Sequence, residues 1–164
     1  MNALLIDNDL KSLTELGNLL RRDGRFNNIW YCSEPAVALQ QVRQQLPEVI
    51  FLATRFRRST EASASVKVDG GAPDKANAGA PGKTGGGAPG KAGGIILANQ
   101  IRRNFPFTNL IFLAVETSEA YAAFQSYPLA FLCKPLRIRR LRPVLDRLFL
   151  VTSQVGGCKE NACG

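Results

Sequence analysis

The stretch Leu46-Pro-Glu-Val-Ile-Phe-Leu-Ala-Thr-Arg-Phe56 decides how the rest of the chain is read. Val49 to Leu52 is an unbroken apolar run introduced by a proline, the pattern of a strand covered on both faces in the middle of a parallel sheet. In open α/β sheets, ligands and chemistry collect beyond the carboxyl ends of such strands. The residue at that end is Ala53, whose methyl offers no acid, nucleophile or metal ligand. Shortly after it the chain enters a long stretch of glycine, alanine, proline and lysine.

On the amino-terminal side, Ala3 to Ile6 is a second apolar run, ending at Asp7-Asn8-Asp9, a polar turn able to cap a helix. Leu10, Leu13, Leu16, Leu19 and Leu20 then recur at helical spacing until Asp23-Gly24 stops the pattern. Asn28 to Cys32 favours a strand. Ser33-Glu34-Pro35 supplies a cap and an early-turn proline for a helix with Ala38, Leu39, Val42 and Leu46 on one side. On the carboxyl-terminal side, Ile95, Ile96, Ala98, Ile101 and Phe105 form a helical stripe, and Leu110 to Ala114 is a fourth buried strand. Thr117-Ser118-Glu119 is expected to cap a short helix with Ala120, Ala123 and Phe124 inward, and Pro128 to Cys133 is a fifth strand. Leu136, Leu141, Val144 or Leu145, Leu148 and Phe149 line a last, basic helix, in which Pro143 should introduce a kink or delay the start. Five alternating strand and helix units predict an α/β fold with a doubly wound parallel sheet.

Between strand three and the next helix, residues 57–93 read as a low-complexity insertion. Residues 71–78, 79–86 and 87–94 are three copies of an eight-residue unit beginning Gly-Ala-Pro. Such a segment has too little bulky apolar surface to offset the entropy of ordering, so a flexible arm is expected. Gly82-Lys83-Thr84 falls short of a phosphate-binding loop, because Asn77 stands where that motif needs glycine and no strand-to-helix context surrounds it. A period of eight also excludes collagen. One domain over residues 1–150, interrupted by 57–93 and followed by a tail at 151–164, is the expected organisation.

Within 164 residues, 45% hydrophobic content suffices for one core, and the net charge of +8 fits either an anionic partner or solubility alone. Lys134, Arg137, Arg139, Arg140, Arg142 and Arg147 crowd the last helix. The chain contains no histidine, which removes the commonest general base and every histidine-containing triad. Cys32 and Cys133 sit in strand-like surroundings suited to buried thiols. Cys158 and Cys163 have no second pair or histidine to complete a zinc site. An acid at position 7 and the lack of a basic leader argue against a signal peptide, and no apolar segment reaches membrane-spanning length. A cytoplasmic location and no membrane partner are the expectations.

This order of units, with an acidic turn after strand one and Lys134-Pro135 after strand five, resembles the receiver domain of bacterial two-component response regulators. The resemblance spans roughly residues 1–56 and 93–149. Phe124-Gln-Ser-Tyr-Pro-Leu-Ala-Phe-Leu-Cys-Lys-Pro135 is particularly similar to receivers that accompany LytTR-type DNA-binding domains. It implies a flavodoxin-like (βα)5 sheet of order 2-1-3-4-5. It also implies a phosphorylation pocket built from an acid pair that holds magnesium, an aspartate after strand three, a hydroxyl residue after strand four and a lysine after strand five. The metal and the lysine neutralise charge on the transferring group. In this sequence Asp7 matches the first acid, Asn8 takes the second acid's place and Asp9 a third position. Ala53 replaces the phosphoacceptor, Ala114 replaces the hydroxyl residue, and Lys134 is kept. Phe131 occupies the aromatic switch position.

Without a carboxylate at 53 the pocket is degenerate. Asp7 and Asp9 are the only candidates to hold a metal, and a helix cap and a salt bridge from Lys134 to Asp7 account for them better. Neither magnesium nor another cofactor is expected. The chain therefore reads as an atypical, phosphorylation-independent receiver: a protein-interaction module and not an enzyme. Its expected contact surface for a protein partner or a second copy is the face of helix four, strand five and helix five, with Arg137, Arg139, Arg140 and Arg142. Nucleic-acid binding through the same arginines and the lysine-bearing insertion is the alternative. A small molecule in the vacated pocket is a third reading.

Overall fold

The computed structural model describes residues 1–56 and 93–156, with the side chains of 153–156 excepted; the eight-residue repeats up to residue 92 and the tail cysteines lie outside the described residues, while Gly93 and Gly94, the end of the third repeat, open a helix. β1 (Asn2–Ile6), β2 (Asn28–Cys32), β3 (Val49–Ala53), β4 (Asn109–Ala114) and β5 (Ala130–Cys133) form one sheet of order β2-β1-β3-β4-β5. All neighbouring strands run parallel, and the register sets Ile6 beside Leu52, Ala53 beside Leu113, and Ala114 beside Cys133. The carboxyl ends of β1, β3, β4 and β5 thus share one rim.

Every residue of β3 is buried, as its continuous apolar run requires of a central strand. Alternate side chains divide between two core layers. Ile50 and Leu52 face α2 (Pro35–Gln45) and α3 (Gly93–Asn104), joining Ala38, Val42, Ala98 and Ile101. Val49 and Phe51 face α1 (Leu10–Asp23) and α5 (Ile138–Gly156), joining Leu13, Leu16, Leu20, Leu141, Leu145 and Leu148. This is the doubly wound, flavodoxin-like architecture expected from the alternation of elements. Among the described residues, no helix is long and apolar enough to cross a membrane.

Several side chains depart from the sequence expectation. In α3 the buried stripe runs through Ile95, Leu97, Ala98 and Ile101, while Ile96 is 47% exposed. Leu46 terminates α2 as a left-handed C-cap (φ 45°) and points to solvent. α2 starts on Pro35 without a side-chain cap, so Ser33 does not serve as one. Pro143 lies inside α5, whose helix nonetheless begins at Ile138. Pro143 has no N–H to give the carbonyl of Arg139, four residues earlier, while the helix start is closed by Arg137 O, which accepts from Arg140 N and Leu141 N (2.9 and 3.1 Å). α5 continues to Gly156, so six residues of the segment read as a tail are helical.

Candidate functional site

The turn after β1 is built by its acids. Asp9 caps α1, its Oδ1 accepting from Lys11 N at 3.1 Å. Asp7 is only 2% exposed; its Oδ1 accepts from Asp9 N at 3.0 Å and its Oδ2 accepts from Lys134 Nζ. Lys134 is fixed by its own backbone, which donates to Ala114 O at 2.7 Å, and it precedes a cis peptide bond to Pro135. Asn8 lies between the two acids in the same turn.

Ala53 and Ala114 end the neighbouring strands, and each is 1% exposed. The start of α3 closes over Ala53: Gly94 N donates to Thr54 O at 3.1 Å, and a Cβ at position 94 would overlap the carbonyl oxygen of Ala53. Glycine is required there by this close approach. Magnesium needs several oxygens in near-octahedral array. Both Asp7 oxygens are committed, position 53 offers a methyl, and no group of three potential metal ligands occurs among the described residues.

One part of the rim has no counterpart in the sequence reading. Thr117–Glu119 is a short 3-10 turn leading into α4 (Ala120–Phe124), and Glu119 is buried instead of capping from solvent. Its Oε2 accepts from Thr54 Oγ1 and its Oε1 pairs with Arg55 Nε. Arg55 also reaches Glu116 at 3.4 Å. The α4 segment is inverted in polarity: Glu119, Ala123 and Ser126 face inward, while Tyr121, Phe124 and Tyr127 are 83%, 60% and 81% exposed. This corrects the inward placement of Phe124.

Phe131 is half-buried and packs against the layer containing α2 and α3. Arg137, Arg139, Arg140 and Arg142 are all exposed. They do not share one flank. Arg142 acts electrostatically on Asp23 at the end of α1, and Asp146, four residues on, bonds Arg25 at 2.8 Å. Helical periodicity therefore turns Arg142 toward α1 and leaves Arg140 on the opposite flank.

With this geometry in place, the fold is that of response-regulator receiver domains. The response regulatory domain of protein mrkE from Klebsiella pneumoniae superposes with a TM-score of 0.65 at 15% identity, over 94% of this chain and 99% of that one. A two-component response regulator from Clostridium difficile gives 0.65 at 16% identity, over 93% and 98% of the two chains. A CheY-like receiver domain protein from Methanospirillum hungatei JF-1 gives 0.63 at 12% identity, over 93% and 97%. No protein-family model and no curated protein sequence matches the chain.

Proposed function

We propose that the chain is a phosphorylation-independent receiver-type signalling module that acts by binding another protein, with neither enzymatic activity nor a metal cofactor of its own, in a cytoplasmic setting. The observation that carries this reading is the closed rim: β3 ends in the buried methyl of Ala53, beside an Asp7 already engaged by Lys134. Phosphoryl transfer needs an acceptor oxygen and cationic groups free to neutralise the transferring charge. Position 53 supplies no oxygen, and the lysine's charge is spent on Asp7.

Binding is supported by the outer surface. Exposed tyrosine and phenylalanine on the α4 segment, together with arginines at the start of α5, match the aromatic and arginine enrichment of protein interfaces. The charge favours an acidic partner. Acetyl phosphate with magnesium should leave no acid-labile adduct in intact-mass spectra; such an adduct would refute phosphate independence. Reversing Arg137 and Arg140 to glutamate should abolish partner capture or self-association, whereas Arg139→Glu and Arg142→Glu, at helical spacing with Asp146 on the α1 flank, should have smaller effects. Duplex DNA binding that falls steeply with salt and vanishes in the double variant would instead favour the nucleic-acid reading.

A further inference from the structure

We propose that Thr54, Arg55 and Glu119 form a reversible internal latch that holds the segment from Val115 to Tyr127 against the end of β3. The segment has little else to position it at that end. α4 is five residues long, and a helix of that length has no stability of its own. Its inward side chains are Glu119, Ala123 and Ser126, so the apolar surface it buries is close to a single methyl. Position must therefore come from polar anchors. At the far end, Ser126 Oγ donates to Asn99 Oδ1 at 2.7 Å. At the near end, the anchor is Glu119.

The Glu119 carboxylate is 8% exposed, and a buried carboxylate needs a compensating charge. Arg55 supplies it, from the loop directly after the blank position 53. Thr54 makes the arrangement reversible. Its hydroxyl carries one hydrogen and has two acceptors in reach, Glu119 Oε2 and Leu113 O, the latter at 3.3 Å. When Glu119 leaves, the hydroxyl turns to Leu113 and stays satisfied, while Arg55, with 38% of its side chain exposed, passes into water. Two arrangements of the same loop are then available in which the Thr54 hydroxyl keeps an acceptor. The consequence for binding, that the latch governs how Tyr121 and Phe124 are presented, rests on the interaction reading above; the latch itself does not.

Hydrogen exchange of the full chain, resolved by segment, tests it. Glu119→Gln and Arg55→Ala should each raise amide exchange across residues 115–124 by about tenfold while β1 and β3 keep their wild-type rates. Adding Thr54→Val to Glu119→Gln should produce no further rise, because both act on one contact. Wild-type exchange in this segment in folded Glu119→Gln and Arg55→Ala proteins would overturn the latch, as would a uniform rise over all strands. If Glu119→Gln fails to fold, Arg55→Ala and Thr54→Val carry the same test. Adduct formation and capture by the arginine face are separate measurements, so loss of the latch leaves that reading intact, and the reverse also holds.

Discussion

A carboxylate with 2% of its surface exposed, as in Asp7, persists in a fold only where its charge is answered. Lys134 answers it from a position 127 residues away, on the last strand's end. Lys134→Ala should therefore destabilise the domain by about 3 kcal/mol, since it strands a buried charge. Urea unfolding measures this, and Asp7→Asn placed in the same background should recover part of the loss. Equal midpoints for Lys134→Ala and wild type would show that Asp7 is solvated. The Asp9 cap was legible in local turn chemistry, and the Asp7–Lys134 pair through the receiver resemblance, which sets the ends of β1 and β5 on one rim although β3 and β4 lie between them. Glu119 was not. Ser-Thr-rich, acid-containing triplets read as helix caps, and what buries this acid is Thr54, 65 residues distant, a contact that no local pattern encodes.

At the level of elements, the loops on the amino-terminal side of the sheet are organised by one guanidinium. Arg102, in the last turn of α3, donates to the carbonyls of Pro106 (2.6 Å), Thr108 (3.0 Å), Ser126 (3.2 Å) and Tyr127 (2.9 Å). Burial lowers its pKa from the ordinary arginine range, yet four carbonyl dipoles keep it charged. It binds the α3–β4 connection to the α4–β5 connection, and so holds Tyr127 in its left-handed conformation (φ 49°). Arg102→Ala should cost about 3 kcal/mol through the carbonyls left without donors. Arg102→Lys should recover only part of it, because an ammonium has three donors and no planar fork. Thermal or urea unfolding distinguishes the two, and a wild-type midpoint for Arg102→Ala would refute the clamp. Element types were readable from apolar periodicity, but facing was harder: Ile96 and Leu97 are equally apolar neighbours, and the start of α3 at Gly93 decides which turns inward.

Across the whole molecule, a parallel doubly wound sheet follows from alternating strands and helices, and its order from the resemblance to receiver domains; how the α1–α5 layer is tied together could be read from neither. The turn after α1 is fastened to α5 by Arg25, which bonds Asp23 (2.5 Å) and Asp146 (2.8 Å) and lies 4.5 Å from the Phe149 ring centre, while Phe26 meets Phe149 edge-on at 5.9 Å. Hydrogen bonding from Arg25 holds the Asp23 carboxyl below its ordinary range, against the opposing effect of burial, and the same contact raises the pKa of Arg25. A carboxyl whose folded pKa lies below its unfolded one binds more protons when unfolded, so it stabilises the fold at pH values above the unfolded pKa, near 4. That contribution falls as pH drops below this value and is lost once the folded pKa is passed. Stability measured by urea unfolding should thus decline between about pH 5 and pH 2. Asp23→Asn should be less stable than wild type at pH 7 and should show a shallower acid decline. Arg25→Ala should do the same, because it removes the cause of the shift. A parallel acid decline in wild type and Asp23→Asn would place the responsible carboxylates elsewhere and leave the α1–α5 fastening without an energetic role.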